Sequence, residues 1–338
     1  MSSASKRTAG FAAAIWAVLL LPPTAAAIEL TPFATRNQNP LVQIYGLPPA
    51  EPATLLDRGR LSTHLTLDIA NNFASSATDD EAVALDGETY RSNIALRYGV
   101  NERFEIGLDI PFVSHAGGFL DGFIEGWHDT FGLPEGGRKQ SSRDQLAYRY
   151  ARDGQPLVEL SDSSAGFGDL RLSAAWQMVR TAGEDPSAAA LRLSLKLPTG
   201  DSDKLLGSGS TDLALSLAGQ RALPTEERLA VFASLGALLT TDGEVLEEQR
   251  RNLAGFGSLG FGWAACDWLS LKIQLDGHTA LYKDSSLTEI NAHSLQLVLG
   301  GALQLAEGIT LDLAVGEDIV VDSAPDVVFH LGLRIATF

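Results

Sequence analysis

The 338-residue chain has one cysteine and two methionines, and only 20% of its residues are charged. A lone Cys266 excludes an internal disulfide and a cysteine-based zinc site, hence a cysteine-stapled fold. Basic residues are scarce, 25 Lys and Arg against 42 Asp and Glu, a formal charge of −17. That balance excludes a nucleic-acid partner, which needs clustered Lys and Arg. Beyond residue 27 no run reaches the ~18 apolar residues of a membrane helix. With 45% hydrophobic residues, disorder is excluded as well.

Residues 1–27 have the form of an export signal. Lys6 and Arg7 precede an apolar core from Phe11 to Leu21, and Ala25 to Ala27 supply a small-residue cleavage site. No cysteine follows the site, so a lipid anchor is not expected. Cleavage leaves 311 residues and, with Lys6 and Arg7 gone, a charge of −19.

From Leu61 onward, apolar and polar residues alternate with period two. Residues 89–100 set Tyr90, Ile94, Leu96 and Tyr98 against Arg91, Asn93 and Arg97. Twelve such segments follow, near 61–69, 89–100, 103–112, 168–179, 189–198, 210–220, 228–240, 253–265, 268–277, 293–305, 308–317 and 326–336. Each approaches the ~9–11 residues of a tilted strand crossing a bilayer. Tight connections alternate with longer ones at 73–88, 113–167, 199–209, 241–252, 278–292 and 318–325, as in outer-membrane barrels of Gram-negative bacteria. The expected fold is all-β: a transmembrane antiparallel up-and-down barrel of about 12 strands over 61–338.

Charge decides which face is wet. Arg91, Arg97, Arg171, Arg192, Lys196, Lys272 and Arg334 share the polar faces with Asp68, Glu105, Asp109, Asp169, Asp212, Asp276 and Asp312. Facing hydrocarbon, such groups cost several kcal/mol each, so this face is the lumen. Seven of each sign nearly cancel, which predicts weak ion selectivity. Tyr98, Phe104, Trp176 and Trp263 fall at the tight-turn ends, where an interfacial belt belongs.

Two segments break the alternation. Phe119, Leu120, Phe123, Ile124, Trp127 and Phe131 recur at helical spacing, predicting a short helix over 118–131 in the longest outer loop. Its opposite face offers Asp121, Glu125 and His128, but a solvated polar face explains these better than a metal site. Residues 28–60 hold Leu41, Val42, Ile44 and Tyr45, too apolar for a free tail. The inward faces near 214–262 are small, with Ala214, Ala218, Gly236 and Gly260 among them, and leave volume to fill. The segment is read as a plug or a periplasmic cap. The candidate plug residues are Leu41, Val42, Ile44, Tyr45, Phe123, Ile124 and Trp127.

The segment Arg36-Asn-Gln-Asn-Pro-Leu-Val-Gln-Ile-Tyr-Gly-Leu-Pro48 resembles a motif of a proteobacterial outer-membrane family, domain of unknown function 3187. Residues 117–134 and 317–330 are similar to two further hallmarks. The resemblance spans nearly the whole chain after the signal and implies a β-barrel, with no activity attached.

No Gly-x-Ser-x-Gly elbow, phosphate-binding lysine loop or His-Glu-x-x-His motif occurs. His64, His278, His293 and His330 have no single-helix metal spacing, although barrel closure would bring His64 near His330. Asp201 and Asp203 are too few for Ca²⁺. No catalytic residue, metal or cofactor is assigned. The leading expectation is passage or binding of small molecules through a partly plugged lumen. A lipid-modifying enzyme and a purely structural barrel are the alternatives. The expected partners are outer-membrane lipid, lipopolysaccharide and the barrel-assembly machinery.

Overall fold

A computed structural model describes residues 28–120, 122, 144–182, 186–223, 228–320 and 323–337. Among them are fifteen strands, β1 (Leu61–Ala77), β2 (Glu81–Asn101), β3 (Phe104–Ala116), β4 (Ala147–Arg152), β5 (Gln155–Leu160), β6 (Ser164–Phe167), β7 (Arg171–Arg180) and β8 (Ser187–Lys196) in the first half. The second half holds β9 (Asp212–Ala222), β10 (Leu229–Thr240), β11 (Leu253–Cys266), β12 (Leu269–His278), β13 (Ser294–Ala306), β14 (Ile309–Val320) and β15 (Val327–Ala336).

Twelve of them close a barrel, with β1 to β3 followed by β7 to β15 as antiparallel neighbours. Closure is made by β15 on β1, in a register running from Ser62 opposite Ala336 to Asn71 opposite Val327. A closed sheet leaves no edge to hydrocarbon, so backbone groups are satisfied without water. Of the five register shifts between barrel strands among the described residues, those at Gly99/Asn101, Gln177/Val179, Ala264/Cys266 and Gln304/Ala306 lie at the tight-turn end, where a bulge bends the strand into its connection, and the one at Leu295/Gln296 lies at the opposite end.

The outward face is apolar. Leu65, Ile94, Ile106, Leu172, Leu193, Leu215, Leu235, Leu259, Ile273, Leu299 and Leu331 are all exposed, and Leu235 reaches 74%. At the tight-turn end the aromatic Phe104 stands opposite Trp176 across β3 and β7, while Tyr98 faces Leu61 and Trp263 faces Leu229.

The outer end departs from expectation. Residues 73–88 are not a loop: β1 and β2 continue as a paired hairpin to Ala77 and Ala82. Within 113–167, β4 pairs with Glu81–Asp86 of β2 and with β5, while β6 pairs with Phe112–His115 of β3. Val83, Leu85, Tyr148, Tyr150, Val158 and Leu160 point inward there and are buried. Polarity is thus inverted above the membrane band: the inner face is greasy and the outer face meets water. The predicted helix over 118–131, with Phe123, Ile124 and Trp127, lies almost wholly outside the described residues. A four-residue helix, α1 (Thr288–Asn291), sits in a different outer loop.

Candidate functional site

Residues 28–60 occupy the lumen as a two-pass hairpin. The first pass begins at the tight-turn end, where Ile28 N–H donates to Asp267 O at 3.0 Å. It then climbs parallel to β12 at a constant offset of 241 residues. Lys272 Nζ donates to Thr31 O, Phe33 N–H to Gln274 Oε1, and Thr35 Oγ1 to Asp276 Oδ2, at 3.1, 2.9 and 2.5 Å. Asn37 Nδ2 reaches the outer end of the wall, 2.7 Å from Ser323 O and 3.1 Å from Ser294 Oγ.

The chain reverses over 39–45. Asn39 Oδ1 accepts Leu41 N–H, Asn39 O accepts both Val42 and Gln43 N–H, and Pro40 holds φ at the turn. The motif at 36–48 therefore builds the turnaround. Leu41, Val42, Ile44 and Tyr45, read from sequence as plug candidates, are buried there in a cluster with Val83, Leu85, Tyr148, Tyr150, Leu238, Leu281 and Tyr282. Burying each such side chain is worth roughly 1.5–3 kcal/mol, which fixes the apex beneath the outer hairpins.

The second pass descends on the opposite wall. Gly46 N–H donates to Asp212 Oδ2 at 2.7 Å, and a Cβ at Gly46 would lie 2.8 Å from Asp212 Cβ, so the backbone contact needs glycine. Lower down, Leu55 N–H meets Gln177 Oε1 at 2.8 Å and Leu56 N–H meets Glu105 Oε2 at 3.0 Å. Small wall residues make the room: Ala53 packs on Ala188 and Ala218, Leu55 on Ala175 and Ala190, and Phe33 on Val298 and Ala314. Part of the volume is also filled by Phe232 and Phe256. They share the inward parity of the small residues, and a Cβ at Gly260 would fall 2.0 Å from the Phe232 ring.

The strand charges divide into local networks, each tied to the hairpin. Arg97, Glu105, Asp109, Arg171 and Arg192 converge. Arg97 meets Asp109 at 2.6 Å and Glu51 of the hairpin at 2.9 Å, Arg192 meets Glu51 and Glu105 at 3.0 Å each, and Arg171 pairs with Asp109. Lys196 bridges Asp169 at 2.6 Å and Asp212 at 3.1 Å while donating to Ile44 O. Lys272 meets Asp312 at 2.5 Å and lies 3.9 Å above the Phe33 ring. Asp276 takes Thr35, and Arg91 donates to Gln43 Oε1 at 2.6 Å. Burial raises the pKa of Glu51, but Arg97, Arg192 and Arg171 outweigh it and hold the carboxyl well below the usual glutamate range.

Sequence reasoning missed Arg36 and Glu51, hairpin charges outside any periodic strand. It also missed Gln177 and Gln274, inward by parity but uncharged. Strands β1 and β15 do bring His64 and His330 together: a Cβ at Gly332 would lie 2.8 and 3.2 Å from their Nε2 atoms. His330 Nδ1 pairs with Asp68 at 2.6 Å, and no hydrogen bond reaches its Nε2 among the described residues. Among the described residues no serine hydrogen-bonds the Nε2 atom of either histidine. Asp201 lies in an exposed outer turn beside Lys204, whose hydrogen bond lowers its pKa. The acidic and histidine side chains at 121, 125 and 128 lie outside the described residues.

Between the two passes and the β1, β2 and β15 wall lies a cavity of about 510 Å³. It runs from Arg36 to Arg60 and Thr337 at the tight-turn end.

No curated protein matches the sequence. Among solved structures, an outer membrane channel from Pseudomonas putida F1 is 17% identical, with a TM-score of 0.53 over 84% of this chain and 97% of that one. This similarity establishes the closed barrel fold and nothing finer. The KdgM porin (8% identical, TM-score 0.41, 82% and 99% covered) and the Pseudomonas putida toluene transporter TodX (11%, 0.35, 92% and 95%) are more distant barrels. The family model described as Protein of unknown function (DUF3187) matches residues 11–336, and the chain belongs to that family.

Proposed function

We propose that the protein is an outer-membrane channel for small molecules whose conducting path opens when the hairpin of residues 28–57 shifts or leaves the lumen. One observation carries the reading: the barrel is occupied by its own N-terminal segment, whose two passes are held by hydrogen bonds and ion pairs to polar walls and whose apex is held by an apolar cluster. The polar contacts of the two passes can be exchanged for water, so the segment can shift while it stays joined to β1 at Leu61. The export signal at 1–27 and the apolar belt suit insertion among outer-membrane lipid and lipopolysaccharide by the barrel-assembly machinery. The test is planar-bilayer recording of the full barrel beside a variant lacking residues 30–55. The deletion is expected to raise single-channel conductance several-fold while heat-modifiable migration on gels reports a folded barrel. A folded deletion variant that conducts like the parent would exclude the plug.

A further inference from the structure

The cavity beside the hairpin carries more positive than negative charge, in a protein that is otherwise strongly acidic. Seven arginines and five carboxylates line it. Four of those acids are already engaged: Glu51 and Asp109 with Arg97 and Arg171, Glu105 with Arg192, and Asp57 with Arg180. Arg36 is different. It projects from the first pass into the cavity and makes no hydrogen bond or ion pair among the described residues. Arg91 and Arg171, of its own sign, act on it electrostatically, and so, more weakly, do Asp109 and Asp68 of opposite sign. Arg171 Nη1 and Arg192 Nε also lack a hydrogen-bond partner among the described residues, but both atoms are enclosed and would need a side-chain shift to meet a ligand. Both side chains are at most 9% exposed and both line the cavity.

Arg36 is half-buried and faces the cavity, so its guanidinium is solvated by whatever fills that space, and a bound anion would exchange water there for charge-assisted hydrogen bonds. Planar guanidinium forks match the two oxygens of a carboxylate or phosphate. The volume falls in the range of small-molecule sites, roughly 300–1,000 Å³. We infer that this cavity is a binding site for a small, multiply charged oxyanion, a polycarboxylate or a phosphate, with Arg36 as its central ligand. The site would be reached from the tight-turn end, where Arg60 and Thr337 form its mouth. The inference deepens the channel reading and rests on it for the meaning of the site, as a station for anionic cargo.

The experiment is isothermal titration of the purified full barrel in detergent with citrate, succinate and inorganic phosphate, against sodium chloride and maltose at matched ionic strength. Thermal unfolding runs in parallel. Saturable binding of at least one oxyanion is expected, with a rise in Tm that chloride and maltose do not reproduce; the phosphate and carboxylate arms tell the two sources apart. Arg36→Gln should weaken binding at least tenfold and leave the anion-free Tm equal or higher, since an uncompensated charge has gone. Arg36→Lys should retain binding within a few-fold. No saturable oxyanion binding by the parent, or equal binding by Arg36→Gln, overturns the site. Conductance is recorded separately: anion binding without conduction sinks the channel reading alone, and conduction without anion binding sinks the site alone.

Discussion

Glu51 Oε1 lies 2.9 Å from Arg97 Nη2, joining the descending pass of the hairpin to strand β2 of the wall. The same carboxylate also meets Arg192, so one hairpin residue ties two strands that are not neighbours in the barrel. Removing one member of a buried ionic cluster costs about 3–5 kcal/mol, because the partners stay buried and uncompensated. Glu51→Gln is therefore expected to loosen the hairpin more than the barrel. Hydrogen exchange should speed up in residues 46–57 while β9 to β12 stay protected; equal protection in both proteins would contradict the anchor role.

Acid should act at the same point. The folded pKa of Glu51 is depressed, so its contribution is fully present above the ordinary glutamate range near 4.5 and is lost only as the pH falls through the lower folded value. Between pH 5 and 8 this carboxylate should leave hairpin retention unchanged. Release should begin only in strong acid, and Glu51→Gln should be loose throughout. A release midpoint near neutrality that Glu51→Gln abolishes would show the sign to be wrong.

The apolar belt predicts a depth-dependent cost. Leu235 lies mid-strand in β10 and is 74% exposed. Leu235→Arg should destabilise the folded barrel in lipid by about 2–4 kcal/mol, and Leu61→Arg at the strand end by about 0–1 kcal/mol. Unfolding titrations in lipid vesicles measure both. Equal costs at the two depths would remove the assignment of this face to lipid.

Close packing inside the β10–β11 wall is testable by rescue. A Cβ at Gly260 meets the Phe232 ring at 2.0 Å. Gly260→Ala is expected to cost about 1–3 kcal/mol by overpacking. In the background of Phe232→Ala the same substitution should cost far less, and strict additivity in the double-mutant cycle would argue against the contact.

Orientation follows from the connections. Cys266 lies at the tight-turn end, next to the Asp267 carbonyl that receives Ile28 N–H, while Ser202 and Asp203 lie in an outer turn. On intact cells a membrane-impermeant thiol reagent should label Asp203→Cys strongly and Cys266 weakly. The reverse pattern would invert the barrel.

The twelve barrel strands were legible because a bilayer imposes one rule on each of them. A residue facing hydrocarbon must be apolar, a residue facing the lumen is polar, and parity alone distinguishes them. The rule stops where the membrane stops. Near residues 81–86 the inward positions become Val83 and Leu85, packed on Tyr148 and Tyr150, so the alternation changes sense and a continuing strand reads as a loop. Phe232 and Phe256 were overlooked for a related reason: aromatic residues on a wet parity look like interruptions until the cavity they fill is seen.

By itself, then, the sequence determined the strand count, the lipid and lumen faces, the charged residues of the wall and the need to bury Leu41, Val42, Ile44 and Tyr45. Each of those follows from local periodicity and the cost of placing a side chain in the wrong solvent. Only the tertiary structure decided where residues 28–60 go, which wall charges join which hairpin charges, and that Arg36 has no hydrogen bond or ion pair among the described residues. Those depend on contacts across 241 positions of chain, such as Thr35 with Asp276, and no local pattern encodes a pairing between an irregular segment and a strand that far away.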